Sequence, residues 1–256
     1  PTDMKTSSLF NHKTVLSLEV FPPKRTAPVD TIYNTLDELK GITPDFISVT
    51  YGAGGSENSQ TTLKIASAIK HKYGIESVAH IPCLNLTRED VLLILEQLKE
   101  QKIENILALR GDRVPDREPA GDFRYASDLV EFIKLHGDFN IIGACYPEGH
   151  QESGGLVRDM KHLKDKVDAG VSPVVNKKLI ERMVSLCGVK LPKKFISMME
   201  RYGDNPIAMR DAGIAYAVDQ IVDLAAGGVD GIHLYTMNNP YIANRIYESV
   251  FRLMAS

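Results

Sequence analysis

A parallel α/β fold closed into a (β/α)8 barrel is what this 256-residue sequence predicts, on three observations. Short β-rich runs alternate with longer amphipathic runs, so successive strands are parallel and joined by right-handed crossovers. No strand leads into a G-x-G-x-x-G turn or a P-loop, the usual marks of nucleotide-binding open sheets. Polar residues of catalytic type stand at the carboxyl end of nearly every strand: Glu19, Thr50, His80, Arg110 with Asp112, Tyr146 with Glu148 and His150, and Tyr235 with Asn238. A barrel gathers those ends on one face. An open doubly wound sheet, the alternative, would scatter them. Residues 1–256 are expected to form this one domain.

The elements follow in order. Residues 14–20 (TVLSLEV) read as the first strand, ended by Pro22-Pro23, which cannot extend a ladder. Residues 29–40 place Ile32, Leu36 and Leu39 at helical spacing. Residues 46–51 (FISVTY) form a second strand with 52–55 as its loop, and 59–73 a helix with Leu63, Ala66 and Ile69 along one side. Residues 77–82 are the third strand. Thr87 with Asp90 then opens a helix as a near capping box, with Val91, Ile94, Leu95 and Leu98 as its buried stripe. Strand four is 105–109, followed by a helix over 125–136, and strand five is 141–146. A helix over 156–170 closes at Gly170. Here the rhythm breaks, because residues 171–176 (VSPVVN) are too few for strand, helix and strand. Helices over 175–187, 193–202 and 206–226 follow, then a strand over 229–235 (VDGIHLY) and a helix over 241–253.

Composition narrows the function. A net charge of −3, with 25% charged and 43% hydrophobic residues, gives no electrostatic footprint for nucleic acid or an anionic membrane surface. Three cysteines (Cys83, Cys145, Cys187), odd in number and without a C-x-x-C pair, suggest neither a disulfide framework nor a zinc knuckle. No apolar run approaches the roughly 20 residues of a membrane span, and the first eight residues lack the apolar core of a signal peptide. A cytoplasmic enzyme is expected.

The strand ends carry the chemistry. Glu19 sits within S-L-E-V-F-P-P-K, and a carboxylate inside an apolar strand must be paired, hydrated in a cavity or protonated. Apolar surroundings would suit it to act as a general acid; a strand-edge Glu bonded to a helix is the plainer reading. Leu109-Arg110-Gly111-Asp112 offers a charged fork, a glycine that allows close backbone approach, and a carboxylate at the rim; an Arg–Asp surface bridge would look the same. Tyr146, Glu148 and His150, with Asp159 and Lys166 on the next helix, either bind a polar ligand or bond one another. His80, Glu148 and His150 lack the i, i+4 spacing of a helical metal site, so no metal is assigned.

Seven strings occur in order, each after the expected strand or helix: E-V-F-P-P-K, S-V-T-Y-G-A-G-G, A-L-R-G-D, Y-A-S-D-L, C-Y-P-E-G-H, L-K-D-K-V-D-A-G and H-L-Y-T-M-N. Together they make the chain resemble the methylenetetrahydrofolate reductases over nearly its whole length. The resemblance implies a single flavin-binding (β/α)8 barrel that holds FAD at its strand ends. It also implies a ping-pong reaction in which NADH or NADPH reduces the flavin, and the flavin then passes hydride to 5,10-methylenetetrahydrofolate, giving 5-methyltetrahydrofolate. By position Glu19 is similar to the general acid that opens the imidazolidine ring. Asp112 resembles the carboxylate beside the flavin that stabilises the folate cation. Thr50, His80, Arg110, Gly111, Asp112, Tyr125, Ala126, Tyr146, His150, Asp159 and Lys166 match positions that hold FAD. A homo-oligomer is implied too, with no nucleic-acid or membrane partner and no regulatory extension past Ser256.

Two departures stand out. Val20 replaces a second Phe. Between Val171 and Ser172 the family has a strand ending in a substrate-contacting Gln, a helix and a further strand, so several tens of residues are absent. A barrel without them would be open along one side. Beyond the gap, Leu179 and Met183 stand where polar and aromatic substrate contacts would be expected. Two other readings compete: a metal- or lysine-dependent barrel lyase or isomerase, and a reductase-like subunit that binds flavin but takes electrons from a partner protein.

Overall fold

The computed structural model of the chain describes residues 4–11, 13–23, 28, 30–51, 56–113, 118–144, 170–171 and 191–254. Seven strands, β1 (Val15–Val20), β2 (Phe46–Val49), β3 (Glu76–Pro82), β4 (Asn105–Leu109), β5 (Asn140–Gly143), β6 (Gly170–Val171) and β7 (Gly231–Tyr235), form one sheet in the order β5-β4-β3-β2-β1-β7-β6. Every neighbouring pair is parallel. The helices are α1 (Asp30–Glu38), α2 (Ser56–His71), α3 (Arg88–Glu100), α4 (Ala126–His136), α5 (Lys193–Tyr202), α6 (Pro206–Ala226) and α7 (Pro240–Met254).

The order is that of a (β/α)8 barrel with one beat missing. Chain-sequential strands sit side by side from β1 to β5, and the last strand, β7, returns to pair with β1 on its other edge. Among the described residues no strand joins β5 to β6, and the ring is open there. The sequence rhythm breaks on the other side of β6, after Val171, and residues 145–169 and 172–190 lie outside the described residues. Two details differ from the sequence reading. Gly170, expected to close a helix, begins a strand instead: Gly170 pairs with His233 and Val171 with Leu234. A two-residue segment does so because the edge of β7 presents a row of backbone donors and acceptors that any extended stretch can satisfy. Strand five stops at Gly143; Tyr146, the helices expected over 156–170 and 175–187, and Leu179 and Met183 lie outside the described residues.

Period-two alternation assigns the two faces of the sheet. Leu16, Leu18 and Val20 of β1, Ile47 and Val49 of β2, and Ile106 and Ala108 of β4 turn outward into one core with helix residues such as Ile32, Ile65, Leu95, Ile133 and Ile246. Val15, Phe46 and Val78 turn inward and pack with Phe10, Leu107 and Ile142. Phe10 belongs to a 3-10 turn, Thr6–Asn11, that the periodicity did not reveal. It plugs the amino-terminal end of the ring. Helix α3 carries the capping box, with Thr87 accepting from Asp90 N and Asp90 accepting from Thr87 N.

The plug is tied down by one fully buried side chain. Asn105 accepts from Thr6 N (2.9 Å) and donates to Met4 O (3.0 Å) and Glu76 Oε1 (3.1 Å), while Asn140 Nδ2 donates to its Oδ1 (2.9 Å). Glu76 in turn pairs with the buried Lys70 at 3.0 Å. Replacing Asn105 by Ala strands several of these buried groups without partners. We expect the variant to lose about 2–4 kcal/mol of unfolding free energy in urea titration.

Candidate active site

Because every described strand runs the same way, the described strand ends named by the sequence open on the face opposite the plug. Glu19 is the next-to-last residue of β1, paired with Ser48 of β2 on one side and Tyr235 of β7 on the other. It faces inward and is only 8% exposed. The outlet is fixed from β7: Thr236 Oγ1 donates to Glu19 O at 2.7 Å, and Asn238 bonds Phe21 twice, accepting from its N (3.0 Å) and donating to its O (2.8 Å). Met237 and Asn238 have φ of +51° and +52°, a left-handed pair of non-glycine residues that this double clamp holds in place.

The Glu19 carboxyl is not set among apolar walls, as its strand suggested. Three polar side chains from three strands converge on its Oε2. Ser48 Oγ donates at 3.4 Å, His233 Nε2 lies at 3.3 Å, and His80 Nε2 at 3.5 Å. His233 Nδ1 is 2.7 Å from Ser17 Oγ. Ser17, Glu19, Ser48 and His233 line an interior cavity that continues from Glu19 and Tyr235 down to Phe10, Phe46 and Leu107.

His80 is buried to 5% exposure, and burial pushes its imidazole down from 6.5 to about 4; the nearby His233 lowers it further and the Glu19 carboxyl opposes both. Near neutral pH it is therefore uncharged. Its contact with Glu19 is then a close approach rather than an ion pair, and among the described residues Nε2 has no hydrogen-bond partner.

The remaining sequence-named residues sit on the same rim. Thr50 follows β2, its N donating to Val20 O (3.0 Å) and its O accepting from Thr62 Oγ1 (3.1 Å). Arg110, Gly111 and Asp112 follow β4, and this stretch is laced to the end of β3: Cys83 N donates to Leu109 O, Leu84 N to Arg110 O, and Asn85 Nδ2 to Asp112 O. Gly111 has φ +80°, and a Cβ there would come 2.8 Å from Pro82 Cβ, so the close approach of the two loops requires glycine. Asp112 is exposed on the rim, three strands round from Glu19. Tyr125 precedes α4 with its ring 47% exposed and Arg124 stacked over it, and Ala126 is buried at the helix start. Tyr146, Glu148, His150, Asp159 and Lys166 lie outside the described residues.

Glu19 and His80 are thus brought into contact, and Thr50, Arg110, Gly111, Asp112, Tyr125 and Ala126 share their rim. Ser17, Ser48, His233 and Thr236 were not singled out from the sequence. The signal was there: with period two, Ser17 shares a face with Glu19, and His233 with Tyr235.

Comparison with known proteins decides the family. The methylenetetrahydrofolate reductase family profile matches residues 5–175 and 169–250. The chain belongs to the methylenetetrahydrofolate reductase family. It is 30% identical to a 5,10-methylenetetrahydrofolate reductase of Pectobacterium carotovorum over 269 residues, covering 92% of this chain and 89% of that one. The corresponding Escherichia coli protein is 30% identical, with 92% and 90% covered. Against methylenetetrahydrofolate reductase 1 of Schizosaccharomyces pombe the identity is 32%, and the chain spans 46% of that longer protein. Since 92% of 256 residues is about 236, some 33 of the 269 positions aligned with the Pectobacterium reductase have no residue here. Among solved structures, a Clostridium thermocellum protein described as binding two copies of 5-methyl-5,6,7,8-tetrahydrofolic acid superposes with a TM-score of 0.54 at 10% identity, covering 99% of this chain and 100% of that one, a likeness of fold. No described helix is long and apolar enough to cross a membrane.

The depressed His80 imidazole fixes a sign for acid stability. The unfolded chain takes up a proton near pH 6.5 that the folded chain refuses until about pH 4. Folded-state stability is full above pH 6.5 and falls as pH drops toward 4, by on the order of 3 kcal/mol from this one group. In His80→Phe, urea unfolding across that window should lose correspondingly less stability than the wild type.

Proposed function

We propose that the chain reduces 5,10-methylenetetrahydrofolate to 5-methyltetrahydrofolate with FAD bound at its strand ends and NADH or NADPH as electron donor. The observation that carries the reading is Glu19: a buried acid at the carboxyl end of β1, its Oε2 bonded by Ser48 of β2 and His233 of β7, with His80 of β3 in close approach.

The described rim suits the flavin nucleotide. Gly111 leaves no room for a Cβ and brings backbone close, Arg110 provides a cation for a diphosphate, and Thr50, His80, Asp112, Tyr125 and Ala126 are the other described members of the proposed set. Tyr146, His150, Asp159 and Lys166 complete the proposed cofactor-binding set. FAD held by these residues would supply the hydride chemistry that links the nicotinamide to the folate.

Proton chemistry falls to the chain itself. Opening the imidazolidine ring of the folate to an iminium requires a proton on the departing nitrogen, and Glu19 is the acid placed to give it. Positive charge then grows on the folate, and Asp112, an anion on the same rim, stabilises it. His80 is neutral and so does not oppose that cation. Burial of Glu19 keeps bulk water from competing for its proton. The roughly 33 relative positions without a counterpart here favour one second reading, a flavin-binding subunit whose electrons come from a partner protein.

Anaerobic titration separates these. NADH or NADPH should bleach the flavin absorbance, and methylenetetrahydrofolate should restore it. A protein that takes up FAD but is bleached by neither nucleotide is the partner-dependent subunit, and one that takes up no FAD lies outside the proposal altogether. In Glu19→Gln, bleaching should persist within twofold while folate-dependent reoxidation falls at least a hundredfold. Normal reoxidation in that variant would remove Glu19 from the mechanism.

A further inference from the structure

The Glu19 carboxyl has two oxygens, and the structure treats them unequally. Among the described residues every polar contact falls on Oε2, from Ser48, His233 and His80. Behind His233 stands Ser17, with Oγ 2.7 Å from Nδ1 and 3.5 Å from Ile232 O. An ionised carboxylate can only accept, so against it His233 Nε2, 3.3 Å from Oε2, carries the ring hydrogen, and Ser17 Oγ donates to Nδ1. Nδ1 is then an acceptor, and in a neutral imidazole the hydrogen resides on Nε2, which donates to Glu19 Oε2. The ring is kept in that plane by Tyr235, packed edge-on with centroids 5.1 Å apart.

We infer that His233, oriented by Ser17, is a positioning residue for Glu19: by donating to Oε2 it leaves the transferable proton on Oε1. An oxygen that already accepts from Ser48 and His233 cannot also hold the carboxyl hydrogen, so protonation occurs on the other oxygen. The pair adds or removes no proton of its own. Its effect is to give the acid one orientation, which is worth most in the transition state, where a misdirected proton is useless. The inference rests on the reading of Glu19 as proton donor.

The test uses the flavin-loaded enzyme with three variants. His233→Leu removes the donor and keeps an apolar side chain at the site; folate-dependent reoxidation should slow at least tenfold, while bleaching by nicotinamide stays within twofold. His233→Gln, whose amide N–H reaches toward the position of Nε2–H, should recover most of that loss. Independently of turnover, 15N spectra of histidine-labelled protein should show His233 as the Nε2–H tautomer, and Ser17→Ala should convert it to a mixture. A wild-type Nδ1–H tautomer, or a folded His233→Gln no faster than His233→Leu, would overturn the proposal. Unimpaired reoxidation in His233→Leu alone removes the positioning role, whereas unimpaired reoxidation in Glu19→Gln removes the function reading beneath it.

Discussion

The parallel pairing of β1 with β2 on one edge and β7 on the other is the constraint on which the rest depends. Those two ladders place Glu19 level with Ser48 and Tyr235, and one residue of slip on either side would turn the carboxyl from the interior to the helix layer. They also draw the last strand back to the first, which is what makes a ring from a row of strand–helix units. Outward leucines, valines and isoleucines bury against the helices and pin the register. Inward positions are thereby freed for polar work at one end of the ring and for the Phe10 plug at the other.

Burying an acid inside a sheet is costly unless it is met by polar groups, and here Oε2 is met by Ser48 of β2 and His233 of β7, with His80 of β3 in close approach. His80 contributes differently. Its burial keeps it uncharged near neutral pH, so it stands beside the carboxyl without adding a fixed positive charge. The left-handed Met237-Asn238 turn stores strain at the same end and is held by bonds back to Phe21 at the exit of β1. Rigidity here serves orientation.

Much of the architecture was legible because strand and helix periods differ. The runs TVLSLEV, FISVTY and NILAL fixed three strands to within two residues, and the Thr87–Asp90 cap fixed the start of α3. What periodicity could not supply was contact between strands distant in sequence. His233 read as one residue of a strand; only the 214-residue closure of β7 onto β1 makes it a neighbour of Glu19. Ser17 and Ser48 are small hydroxyls whose significance is likewise created by register. The Thr6–Asn11 plug has no apolar period of its own, and it is held by Asn105 from a hundred residues away. Glu19 was expected to have apolar surroundings because its chain neighbours are apolar, yet those neighbours face the opposite side of the sheet.

The central claim is that the ring brings a supported acid from β1 and an exposed carboxylate from the end of β4 to one folate. A crystal structure of the flavin-loaded protein with 5-methyltetrahydrofolate measures this directly. The account predicts the pterin on the carboxyl-end face, with Glu19 Oε1 and Asp112 each within hydrogen-bond reach of it, directly or through one water. A pterin seated at the Phe10 end of the ring, or one that meets neither carboxyl, would contradict it.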